Sequence, residues 1–115
     1  MDNSRALLTT GEIAEHCGVS VRTVQYYDSQ DLLKPSELSE GGRRLYSPED
    51  LQQLQLICLL RSLGLSVSSI RDVLSQEHPE KSLLLLLDEQ EQQVQERVRD
   101  DQNLLTLIRE VRKDL

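Results

Sequence analysis

In the stretch VRTVQYYDS, residues 21–29, Arg22, Gln25, Tyr26 and Ser29 fall at positions i, i+3, i+4 and i+7. On a helix that spacing makes one polar stripe. A guanidinium, an amide and two hydroxyls are groups that bond phosphate oxygens and base edges in a DNA major groove. Tyr26 and Tyr27 are two of only three tyrosines, and the chain has no Phe or Trp. Adjacent helical residues point about 100° apart. One ring can therefore anchor the helix in a core beside Val21 and Val24 while the other offers its hydroxyl outward. Further along, Arg43 and Arg44 follow Gly41-Gly42 and would add cationic contacts to flanking phosphates. The plain alternative is a packing tyrosine pair and a solvated basic loop. The order of the surrounding elements decides between the two.

Other chemistry is poorly supplied. The two histidines are His16 and His78, and no nucleophile–base–acid spacing or glycine-rich phosphate loop accompanies them. Cys17 and Cys58 lie 41 residues apart without a CxxC pattern. They read as small core residues rather than a disulfide or zinc site. His78 beside Pro79 reads as a loop residue. No enzyme activity, metal or cofactor is expected. No apolar run with a cleavage site marks a signal peptide, and the longest apolar run is the five leucines 83–87. About 20 apolar residues are needed to cross a bilayer, so the expected setting is the cytoplasm, without a membrane partner. A net charge of −7 counts against nucleic acid, although a binding face needs only local positive charge.

The elements that must position these residues announce themselves at their ends. Leu8-Thr9 leads to Ile13, Tyr46-Ser47 to Leu51, and Leu65-Ser66 to Ile70. Each pairs a hydroxyl N-cap with a hydrophobic staple. Thr9 with Glu12 completes a capping box, and Ser47-Pro48-Glu49-Asp50 sets a cap, a first-position proline and two acids at a positive helix end. Gly18 and Gly64 suit left-handed helix ends. The reading is mainly α, with helices over about 10–16, 21–30, 48–63 and 67–76. The first two form a helix-turn-helix over 9–30. Leu32-Leu33 and Leu45-Tyr46, turning at Gly41-Gly42, would form a wing over 32–46. A helix pair over 48–76 completes a domain spanning 1–76.

After His78-Pro79, residues 80–115 contain no Pro or Gly. Leu84, Leu87, Val94, Val98, Leu105, Ile108 and Leu115 mark a three–four seam, broken by Glu91, Asp101 and Arg112. A helix this long cannot bury its stripe on four short helices, so a second copy is the simplest partner. A dimerisation coiled coil over 80–115 is expected.

Taken in order, TTGEIAEHCGVSVRTVQYYDSQDLLKP, GGRRLYSPEDLQQLQLICLLRSLGLSVSSIRDVL and the long helix resemble the MerR family of bacterial transcription regulators. The resemblance covers 9–74 in detail and 80–115 by architecture. It implies a winged helix-turn-helix homodimer joined by an antiparallel coiled coil and bound to double-stranded, pseudo-palindromic promoter DNA. It also implies RNA polymerase as a partner, through distortion of an overlong promoter spacer or through occlusion. By position, Arg22, Tyr26 and Tyr27 would enter the major groove, while Arg44 and Tyr46 would hold backbone. With Ser20, Thr23, Gln25 and Arg43 they make the expected DNA-contact set.

The chain also departs from the family pattern. Gln25 and Leu38 are uncharged where many members are basic. Asp31 replaces the usual glycine, and Arg43 stands where many have tyrosine. Binding should be weaker and less salt-sensitive, by about 0.9 in log–log slope for each phosphate that goes unneutralised. No cysteine follows position 76 and the chain stops at Leu115, so neither a family-type metal site nor an appended effector domain is expected. The competing function is a protein-interaction module with an acidic surface, or an architectural DNA-bending module without promoter choice.

Overall fold

The computed structural model describes residues 6–115. In chain order the elements are β1 (Leu8–Thr9), α1 (Thr10–Cys17), α2 (Val21–Ser29), β2 (Glu37–Leu38), β3 (Arg44–Tyr46), α3 (Pro48–Ser62), α4 (Val67–Leu74) and α5 (Glu80–Lys113). The helix limits fall within two residues of those expected, and such ends fray. The chain divides into two compact units, one ending at Gln76 and the other running Glu77–Leu115.

The caps explain where the helices of the first unit begin. The Thr9 hydroxyl accepts from the Glu12 amide at 3.2 Å, and Glu12 Oε1 accepts from the Thr9 amide at 2.9 Å. Ser47 and Asp50 repeat this reciprocal box at α3, while the Ser20 and Ser66 hydroxyls cap α2 and α4 by accepting from the Thr23 and Ser69 amides alone. Gly18 closes α1 at φ 66°, in the left-handed region that glycine enters without strain. Only three residues then separate α1 from α2, which makes the helix-turn-helix connection. Ile13, Val24, Tyr46, Leu54, Ile57 and Ile70 are fully buried and draw α1–α4 and β3 around one core.

The wing differs from the expected hairpin. Leu32-Leu33 is not a strand. Their amides donate to the Tyr27 carbonyl at 2.9 and 3.2 Å, closing the end of α2. Successive strand residues point to opposite faces, whereas this turn lets both leucines reach the core, at 6% and 2% exposure. Asp31, at the usual glycine position, carries the turn at φ 58°. The outer strand is instead β2, and a third strand, β1, pairs on the other side, giving the antiparallel order β1-β3-β2. Leu8 lies opposite Tyr46, and Leu38 opposite Arg44.

The second unit is α5, 34 residues long and so about 50 Å from end to end. None of its residues is buried within the chain. Among the described residues no helix is long and apolar enough to cross a membrane.

Candidate nucleic-acid interface

The second helix of the helix-turn-helix, α2, sorts its side chains as the wheel requires. Val24 and Tyr27 are buried, at 0% and 6% exposure. Arg22, Gln25 and Tyr26 are exposed, Tyr26 at 49%. The two tyrosine rings stand 6.1 Å apart, tilted by 48°, with one anchoring the helix and the other on its surface. Tyr27, placed among the groove contacts by the resemblance, has its ring in the core. Val21, expected to pack, is 42% exposed. Three hydroxyls are engaged locally. Ser20 Oγ accepts from the Thr23 amide at 3.0 Å and lies 2.9 Å from Thr23 Oγ1, while Ser29 Oγ donates to the Tyr26 carbonyl at 2.7 Å. The outward donors left on α2 are Arg22, Gln25 and the Tyr26 hydroxyl.

The wing adds positive charge. Its turn is held by Gly42 at φ 80°, by the Gly42 amide donating to the Ser39 carbonyl at 2.8 Å, and by the Arg43 amide donating to Ser39 Oγ at 3.0 Å. Arg43 and Arg44 are both exposed. With Gly42 and the start of α1 at Thr9, Thr10 and Gly11, they line a cleft of about 300 Å³. Arginine side chains facing a helix N-terminus form an anion-favouring surface.

Two features go beyond what the sequence signals. The first is Asp28, a carboxylate only 7% exposed near the end of α2. Arg44 Nε donates to its Oδ2 at 2.6 Å, and Lys34 Nζ donates to its Oδ1 at 2.8 Å. Burial alone would raise the Asp28 pKa, but hydrogen bonds from Lys34 and Arg44 outweigh it and hold the carboxyl below its ordinary range. No sequence pattern marks this cluster, since its members lie 6 and 16 residues from Asp28.

The second is Tyr46. Expected to grip phosphate, it is instead 0% exposed, and among the described residues its hydroxyl makes no hydrogen bond of good geometry, although the Thr10 side chain is near enough to oppose the rise of its pKa. Burial pushes its phenol pKa up. Tyr46 is a core residue, placed there because the wing strand turns this side chain inward opposite Leu8. The cysteines hold a smaller surprise. Cys17 and Cys58, expected as core residues, are unbridged and only half-buried, and burial raises both thiols.

In the second unit, taken by itself, six of the seven seam residues are exposed: Leu84, Val94, Val98, Leu105, Ile108 and Leu115. Leu87 is half-buried. Leu104, Leu107 and Val111, outside that seam, are also 53–55% exposed. The apolar arc toward the end of α5 is therefore wider than the seam.

Residues 8–77 match the model of the MerR HTH family regulatory protein. The transcriptional activator mta of Bacillus subtilis is 43% identical over 68 residues, covering 59% of this chain and 26% of that protein. The regulator ZntR of Escherichia coli K12 is 34% identical over 99 residues, covering 82% of this chain and 70% of that protein. The chain thus spans about a quarter of one relative and about 70% of the other. Among solved structures, HiNmlR, a MerR family regulator lacking the sensor domain and bound to promoter DNA, superposes with a TM-score of 0.64 at 27% identity, covering 90% of this chain and 85% of that one.

Proposed function

This chain belongs to the MerR family of helix-turn-helix regulatory proteins, and on that premise we propose that it is a dimeric, sequence-specific DNA-binding transcriptional regulator. The observation that carries the proposal is the exposed Arg22–Gln25–Tyr26 stripe on α2, flanked by the exposed Arg43 and Arg44 of the wing. Arg22 and Gln25 read base edges, since a guanidinium pairs with guanine and an amide with adenine. Tyr26 completes that face. Arg43, Arg44 and the amides at the start of α1 hold phosphates, fixing register without reading sequence. Ser20 and Thr23 contribute by capping α2 and setting its first turn. The apolar seam of α5 pairs with the same seam of a second copy as an antiparallel coiled coil, so that two recognition helices meet one pseudo-palindromic site.

By distorting or occluding a promoter, such a dimer controls access of RNA polymerase. The finding that the relatives are transcriptional regulators and not enzymes supports a non-catalytic role. The test is binding of Arg22→Ala. Arg22 is exposed and has no salt bridge among the described residues, so its loss should leave the fold intact. One bidentate base contact is worth about 1–3 kcal/mol, and a dimer makes it twice. Specific affinity should fall by about tenfold or more while the dimer persists. Unchanged promoter affinity would remove α2 from its assigned role.

A further inference from the structure

A largely buried carboxylate beside a face meant for phosphates is an electrostatic liability. Asp28 also sits in the last turn of α2, where the helix dipole disfavours negative charge. Among the described residues, Arg44 and Lys34 are the cations that compensate it. Arg44 comes from the wing strand and donates through Nε at 2.6 Å. Lys34 comes from the segment leading into the wing, donating to Asp28 Oδ1 and to the Asp28 carbonyl, each at 2.8 Å. One carboxylate thus joins the recognition helix, the wing and the segment between them. Lys34 also reaches Asp31 at 3.2 Å.

The atom used on Arg44 matters. A guanidinium has five N–H donors in a planar fork. Bonding Nε to Asp28 takes one and fixes the plane, leaving both terminal nitrogens of a side chain that is 50% exposed to bond elsewhere. Those two are the pair that grips a phosphate bidentately. The same bond lowers the net charge available to any passing duplex. Of the exposed cations Arg22, Lys34, Arg43 and Arg44, two are held by Asp28. Undirected attraction scales with the number of phosphates neutralised, so holding two cations suppresses it.

Resting on the proposed DNA-binding function, we infer that Asp28 is a positioning and specificity residue: it aims Arg44 at one phosphate and restrains Arg44 and Lys34 from undirected DNA binding.

The experiment begins with the full chain selecting its preferred duplex from a random pool. Affinity for that duplex and for a scrambled one is then measured for wild type and Asp28→Asn at two salt concentrations. The expected result is a rise of about threefold or more for the scrambled duplex, a steeper salt slope on it, and a specific-to-scrambled ratio at least tenfold lower. Asp28→Glu, which keeps the charge, should recover part of the ratio. A merely structural role would weaken both duplexes equally. An equal loss, or an unchanged ratio, overturns the inference. If Asp28→Asn loses its helical circular dichroism, Arg44→Lys carries the test. It keeps the charge but not the fork, and the ratio should drop at least fivefold; an unchanged ratio again overturns the inference. Should wild type enrich no sequence, the DNA-binding function itself fails and the inference with it, an outcome separate from the others.

Discussion

Tyr46→Phe separates two roles for one side chain. As a phosphate contact, its hydroxyl would matter for DNA and little for folding. The structure places the ring at 0% exposure, with no well-formed hydrogen bond to the hydroxyl among the described residues and only the Thr10 side chain as a weak polar neighbour. A buried hydroxyl that makes no hydrogen bond forfeits its hydration at a cost of about 1–3 kcal/mol, whereas a bonded one contributes about 0.5–1.5 kcal/mol. The two cases differ in sign. Removing the oxygen should leave stability unchanged or raise it by about 1 kcal/mol, because the ring still fills the core. In a domain of this size, about 1 kcal/mol moves the melting temperature by roughly 4–8 °C. Tyr46→Ala, by contrast, leaves a cavity and should cost about 3–5 kcal/mol. Thermal melts of the three proteins by circular dichroism at pH 7 check the first claim, and DNA affinity of the Phe variant checks the second. A melting temperature lowered by more than about 5 °C would refute the absence of a partner for the hydroxyl. A tenfold loss of DNA affinity at unchanged stability would return Tyr46 to the contact set.

Three further outcomes follow from the geometry. Arg43→Ala should flatten the log–log salt slope of binding by about 1.8, one phosphate contact in each of two wings, and an unchanged slope would take Arg43 off the backbone. Val98→Asp puts two unpaired charges into the proposed seam, so dimerisation measured by sedimentation should weaken at least tenfold, and an unaltered dimer would place the seam elsewhere. Asp28 has a folded pKa below its ordinary value, so its contribution is present above the unfolded pKa of about 4 and disappears as pH falls through the lower folded value. Asp28→Asn should therefore melt below wild type at pH 7, by about 1 kcal/mol after allowing for its half-exposed partners, and the gap should shrink below about pH 4. A gap constant with pH would mean that charge is not what Asp28 supplies.

Local signals read well in this chain. Thr9, Ser20, Ser47 and Ser66 each cap a helix, and Gly18 ends one, because a cap depends on residues only a few positions apart. The stripe on α2 is readable for the same reason, as periodicity alone separates Tyr26 from Tyr27 once one face must be buried. Non-local contacts escape such reading. Leu32-Leu33 resembles a strand in composition, yet two adjacent leucines that both seek the core suit a turn better than an extended backbone. The strands of two or three residues that make the sheet are too short to show alternation. Asp28 cannot be linked to Arg44 from sequence because the link exists only after the wing folds back toward α2. Tyr46 enters the contact set only through the family resemblance, whereas its pairing opposite Leu8 in the folded sheet sets it in the core.

The decisive measurement is fluorescence anisotropy of the full chain on the duplex upstream of its own gene, against a scrambled duplex, at two salt concentrations, with the oligomeric state determined alongside. The proposed function predicts a dimer that prefers the upstream duplex by about a thousandfold or more and loses most of that preference in Arg22→Ala. Equal, weak, salt-sensitive binding to both duplexes, or binding by a monomer, would contradict it.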